Sequence, residues 1–216
     1  MKKLHYNTVS ETLVKCLKEL MNEPLLNKFN LVGGTSLSLQ LGHRISIDID
    51  LFTESLYGTV DFKAIQDMLR KKFSYCYGEC GDIVSFGTSY LIGDSKEDSV
   101  KLDLFYTEPF IRDIQVIDGI RMASLEDIVT MKLNVIGTGG RKKDFWDLNE
   151  LQSHFSLNQM LDLYEERYPY DFSREDIVKG LNNFTKADDE PDPICFRHKQ
   201  WDLIKIEMLD FASSNQ

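Results

Sequence analysis

Residues 31–52 constrain this chain more than any other stretch. They read Leu31-Val32-Gly33-Gly34-Thr35-Ser36-Leu37-Ser38-Leu39-Gln40-Leu41-Gly42-His43-Arg44-Ile45-Ser46-Ile47-Asp48-Ile49-Asp50-Leu51-Phe52. The pattern predicts a short strand, a glycine turn, a short helix from Thr35 to Leu41, and a second strand over 47–53. Successive side chains of a strand alternate between faces, so Asp48 and Asp50 share one face while Ile47, Ile49 and Leu51 pack behind. Two neighbouring carboxylates repel each other. A divalent cation is their natural partner, since hard cations take carboxylate oxygens.

Common motifs with similar pieces do not fit. A calcium loop needs a ligand at its fifth position and glycine at its sixth, and Phe52 and Thr53 stand there. The Gly33-Gly34 pair lacks the lysine and spacing of a P-loop, and the next strand follows too soon for a dinucleotide fold. A glycine pair ahead of a helix still allows close backbone approach, and the free N–H groups of a helix start favour phosphate. Thr35 and Ser36 add hydroxyl donors that serve equally well as caps. Each piece alone is common; the glycine pair, short helix and Asp-x-Asp strand in sequence point to phosphate and metal chemistry.

The rest of the chain changes character near Met122. Before it, Ser10–Asn22 reads as a helix with Leu13, Leu17 and Leu20 on one side, and a second helix begins at Asp61 with Phe62, Ile65 and Leu69 sharing a face. Residues 73–92 suggest hairpin strands, 99–106 a strand, and 114–117 one more before the Asp118-Gly119 turn. Asp82, Asp94 and Asp98 read as turn residues. After it, helices are predicted over 124–136, with Ser124 as cap and Asp127 at the capping-box position, then over 143–151, 157–167, 174–184 and 199–212. The expectation is an α/β (α+β) fold: a mixed sheet flanked by helices in residues 1–122, then a helical bundle in 123–216.

Within the later half, Lys132 falls in an apolar helical stretch, where a lone lysine ordinarily snorkels to water. Asp144 and Asp147 are three apart and share a helix face. Lys142 and Lys143 read equally well as an ordinary charged face.

The first stretch resembles the signature of the nucleotidyltransferase superfamily. The fuller string Gly33-Gly34-Thr35-Ser36-Leu37…Gly42-His43-Arg44-Ile45-Ser46-Ile47-Asp48-Ile49-Asp50-Leu51-Phe52 is similar to the AbiEii/AbiGii toxin family within it. Met131-Lys132-Leu133-Asn134…Arg141-Lys142-Lys143-Asp144-Phe145-Trp146-Asp147-Leu148 is similar to that family's second block. The resemblance implies a nucleotidyltransferase-like fold and a toxin of an abortive-infection, type IV toxin–antitoxin system. It implies that Asp48, Asp50 and Asp103 hold two Mg²⁺ ions, Asp103 being the third carboxylate on the later strand or the base for the attacking hydroxyl. Gly33, Gly34, Thr35, Ser36, Lys132 and Arg141 would bind the nucleotide, and Lys132, Asp144 and Asp147 would join the catalytic set. His43 and Arg44 would be structural or phosphate-facing. The partners implied are an NTP, an RNA 3′ end such as that of tRNA, and a cognate antitoxin. Transfer to a protein or small molecule, or nucleotide binding without catalysis, are the alternatives.

Composition limits the partners. The net charge of −10 disfavours unaided gripping of long duplexes, which needs a local excess of lysine and arginine. Lys63, Arg70, Lys71 and Lys72 on one helix are candidates for an RNA groove, with a solvated helix end the favoured reading. Cys16, Cys76, Cys80 and Cys195 form no CxxC pair, so neither a zinc nor a redox framework is supported. Apolar runs fall far short of the roughly 20 residues of a membrane span, and Met1-Lys2-Lys3-Leu4-His5-Tyr6 lacks the apolar core of a secretory signal. A cytoplasmic protein with no membrane partner is expected.

Overall fold

The computed structural model describes residues 3–81 and 86–213. The chain divides into two compact units. One comprises residues up to Leu41, Ser46–Pro109 and Asp113–Ala123; the other comprises Gly42–Ile45, Phe110–Arg112 and everything from Ser124.

The first unit opens with α1 (Glu11–Met21), whose cap Ser10 accepts the Leu13 amide and whose buried side carries Leu13, Leu17 and Leu20. Then come β1 (Asn30–Leu31), α2 (Gly33–Leu41), β2 (Asp48–Thr53) and α3 (Phe62–Lys72), the last capped by Asp61. Strands β3 (Tyr75–Tyr77), β4 (Gly87–Gly93) and β5 (Ser99–Tyr106) follow, and β6 (Gln115–Ile117) and β7 (Ile120–Met122) close the unit. These form a mixed seven-stranded sheet in the order β3-β4-β5-β2-β1-β7-β6. At its centre β2 runs parallel to β5. The apolar positions of both strands, Ile49, Leu51, Leu102 and Leu104, share one core with the apolar sides of α1 and α3. Alternation thus decides the other face of β2 and β5, where the polar residues are left.

Several expectations change on inspection. Ile47 is 68% exposed instead of packing behind the aspartates. The strand starts one residue later, and Ser46, its amide tied to the Thr8 carbonyl, takes the inward position. The predicted turn at Asp118-Gly119 has φ of 52° and 77°. Two positive values are what a type I′ hairpin needs, and the turn leads into β7, which the sequence reading missed. Asp94 and Asp98 lie in the β4–β5 connection, with the Asp94 amide donating to the Asp98 carbonyl; Asp82 lies outside the described residues.

The second unit contains α4 (Leu125–Gly137), α5 (Lys142–Leu151), α6 (Leu157–Arg167), α7 (Arg174–Leu181), α8 (Thr185–Asp188) and α9 (Trp201–Ser213). The expected 174–184 helix ends at Leu181, and α8 is a separate turn. Helix α4 packs on α5, α6 and α7. Phe145, Trp146, Phe184 and Trp201 stack in a single aromatic group, with Trp146 and Trp201 nearly parallel at 5.8 Å. Ser124 caps α4 as expected, but Asp127 makes no capping box. Its fully buried carboxylate accepts the Ser124 hydroxyl at 2.8 Å on one oxygen, and on the other accepts the Ile111 amide at 2.9 Å and pairs with buried Arg167 at 2.6 Å. A buried carboxylate is better stabilised by a guanidinium than by a local amide. Lys142 is likewise no solvated face residue: it is 5% exposed, paired with Asp192 and set over the Trp201 ring. All four cysteines are free thiols. Among the described residues no helix is long and apolar enough to cross a membrane.

Candidate active site

The parallel pairing of β2 with β5 sets Asp48 opposite Lys101 and Asp50 opposite Asp103. On the far side of β5, Ser89 of β4 stands opposite Asp103. Asp48, Asp50 and Asp103 are all half-buried. Three carboxylates therefore gather on one face of two adjacent strands. At the spacing of paired strands, about 4.8 Å, two like charges repel by roughly 3 kcal/mol at an effective dielectric near 20.

One lysine offsets part of this. Lys101 bonds Asp103 Oδ2 at 2.5 Å, and the Ser89 hydroxyl donates to Asp103 Oδ1 at 2.6 Å. The Lys101 side chain is 48% exposed, and an ion pair so exposed contributes about 1 kcal/mol or less. Partial burial draws the Lys101 pKa down, but its bond to Asp103 and the charges of Asp103, Asp48 and Asp50 outweigh that and hold it above the ordinary lysine value. Lys101 was not among the site residues expected from the sequence; its two-residue spacing from Asp103 in a strand, which puts both on one face, is the signal that could have found it.

The glycine turn is built against this acidic row. Gly33 has φ +67°, and a Cβ there would lie 2.5 Å from Asp50 Oδ2. Only glycine gives both the left-handed backbone and the room. The Val32 amide donates to the Asp50 carbonyl at 2.9 Å, so the start of α2 is tied to the strand beside it. Thr35 and Ser36 do not turn their hydroxyls outward. Both are fully buried; Thr35 donates to the Asp48 carbonyl and lies 2.8 Å from the Ser46 hydroxyl, and Ser36 accepts from Gln40. What α2 offers an anion beyond Gly33 and Gly34 is its backbone, since the first N–H groups of a helix have no partner within it.

The residues of the second block assemble in the helical unit as a buried charge lattice. Lys132, 5% exposed, donates to Asp144 and to Asp147, each at 2.6 Å, so it does not snorkel to water. Arg44 grips Asp147 with two bonds, Nε at 2.6 Å and a terminal nitrogen at 2.8 Å, and His43 Nε2 adds a contact at 2.8 Å. Asp144 accepts from the Arg141 amide and Nε at 3.1 and 2.9 Å, half of a capping box that arginine, having no acceptor, cannot reciprocate. The Arg141 side chain is half-exposed. Burial works against every charge here. It would raise the Asp147 pKa, but Arg44, Lys132 and the His43 bond hold it well below the usual carboxylate range. Asp144 is also lowered despite its burial, by Lys132 and Arg141. Burial would lower Lys132 and Arg44, and their carboxylate partners raise both.

The three carboxylates of the acidic row supply the hard oxygen donors that a divalent cation takes, on paired strands and in register. Among the described residues no group of three acidic, histidine or cysteine side chains is arranged to hold a metal. Asp103 is turned toward Lys101 and Ser89 instead.

Solved structures share this fold. A Helicobacter pylori protein assigned as a nucleotidyltransferase superposes with a TM-score of 0.60 at 19% identity, over 94% of this chain and 90% of that one. MenT4, a nucleotidyltransferase toxin of Mycobacterium tuberculosis H37Rv, superposes at 0.55 with 14% identity, over 97% and 87%. At these identities the superpositions establish the fold, and the class, a nucleotidyltransferase, follows from the family. The profile of the family described as "Nucleotidyl transferase AbiEii toxin, Type IV TA system" matches residues 15–215, and the chain belongs to that family. A protein of Aquifex aeolicus (strain VF5), described only as uncharacterized protein aq_aa25, is 31% identical over 185 residues, 82% of this chain and 83% of its own.

Proposed function

We propose that this nucleotidyltransferase is metal-dependent and transfers a nucleoside monophosphate from an NTP to an RNA 3′ end such as that of tRNA. In this reading it is the toxin of an abortive-infection pair, restrained by a cognate antitoxin in the cytoplasm. The observation that carries the reading is the register of Asp50 against Asp103, with Asp48 on the same face and Gly33 pressed to Asp50. Asp48, Asp50 and Asp103 would hold two Mg²⁺ ions. Bound there, such ions lower the pKa of an acceptor hydroxyl and neutralise charge on the leaving pyrophosphate. Gly33 and Gly34 let phosphate oxygens approach the backbone at the start of α2. Asp103 is positioned as ligand or as acceptor of the hydroxyl proton. Lys132, Asp144 and Asp147 keep the helical unit's charges fixed, and Arg141 is the half-exposed member of that lattice.

The test is incubation of the protein with Mg²⁺, each labelled NTP and total RNA, beside the Asp48→Ala/Asp50→Ala double variant. Label entering RNA only with the intact pair supports the reading. Label in protein or a small molecule moves the acceptor to another class, and no label in any acceptor argues for nucleotide binding without transfer. Expression should slow growth of the host and the double variant should not; equal growth would remove the toxin role.

A further inference from the structure

We propose that Lys101 is the resident counter-cation of the acidic row: it competes with the divalent metal for Asp103 and leaves that carboxylate when metal binds. The proposal rests on the reading of Asp48, Asp50 and Asp103 as metal ligands. Two observations carry it. Lys101 is opposite Asp48 in the strand register, and its ammonium reaches along its own strand to Asp103 Oδ2 at 2.5 Å, so it lies among all three carboxylates. Both oxygens of Asp103 are engaged, Oδ1 by Ser89 and Oδ2 by Lys101.

The chemistry suits a displaceable cation. An ammonium on a flexible four-carbon stem acts as a point charge with rotatable donors, whereas a guanidinium would lock Asp103 in a two-bonded fork. The Lys101 side chain is half-exposed and can swing into solvent without leaving a buried charge unpaired. Without metal it offsets the charge of Asp103 within the row. Metal entering at the same oxygens removes the need for it and frees Oδ2.

The sign of the effect distinguishes this role from a structural one. Mn²⁺ binding, followed by electron paramagnetic resonance on the full chain without nucleotide, should tighten about fivefold in Lys101→Met, the factor expected for losing one half-exposed competing ion pair. Lys101→Arg should bind Mn²⁺ no more tightly than the parent. In EDTA, Lys101→Met should melt below the parent, and saturating Mn²⁺ should close that gap. Lys101→Gln gives the same readings if the methionine variant does not fold. Equal or weaker Mn²⁺ binding in both neutral variants overturns the proposal while leaving the metal site intact. Failure of the parent itself to bind Mn²⁺ overturns the metal reading and the role of Lys101 with it.

Discussion

Asp50 Oδ2 occupies the space that a side chain on Gly33 would need, 2.5 Å from the position of its Cβ. The glycine turn and the acidic strand are therefore one construction. Gly33→Ala must accept both a left-handed backbone and a displaced carboxylate. The backbone alone should cost about 1–2 kcal/mol, and nucleotidyl transfer should fall further than stability does. Urea unfolding beside a transfer assay checks this; unchanged transfer would show that the close approach is incidental.

Asp50→Asn should separate stability from function. It removes one charge of the row without changing size, so in EDTA stability should change by no more than about 1 kcal/mol, the range of a half-exposed charge. Transfer should be lost in the same variant. A large drop in the urea midpoint would show that the acidic row is structural.

Asp147→Asn should behave in the opposite way. Asp147 anchors Arg44, His43 and Lys132 at full burial. Removing its charge leaves cations buried with one carboxylate fewer, which typically costs about 3–5 kcal/mol. Trp146 and Trp201 both belong to the helical unit, so tryptophan fluorescence during urea unfolding reports on that unit. An unshifted midpoint would show that the lattice contributes no stability.

The same lattice sets a pH window. Asp144 and Asp147 have folded pKa values below their unfolded ones, so their contribution is fully present above the unfolded value, about 3.9, and is lost as pH falls through the lower folded values. Lys132 is raised, so its contribution is present below its unfolded value, about 10.4, and is lost as pH climbs through the higher folded one. The fluorescence-detected midpoint should be flat for this cluster between about pH 4 and 10. Below that range the parent should lose stability more steeply than Asp147→Asn; parallel acid limbs would exclude the carboxylate as the cause.

Local rules were enough for much of the fold. Ser10, Asp61, Ser124 and Ser156 cap helices where short-range hydrogen bonding favours them. The alternation in β2 and β5 marked which residues face the core, because a strand's period is two. Asp48 and Asp50 stood out for the same reason. Ile47 did not follow, since a period carries no information about where the strand begins, and that was decided by the bond from Ser46 to Thr8.

Pairing between distant segments is a different matter. Periodicity says that Asp103 faces the same way as Lys101, but not that β5 lies beside β2 in the register that brings Asp50 opposite Asp103. Arg44 and Asp147 are separated by 103 positions, and nothing in either neighbourhood specifies the other. The second block could be recognised as charged and helical, yet Lys132 became a buried cation only because two carboxylates of α5 meet it there. Backbone preference acts over a few residues and is written in spacing. Strand pairing, burial and charge compensation act across the folded chain: pairing set Asp103 beside Asp50, and compensation turned Asp144 and Asp147 inward to their cations.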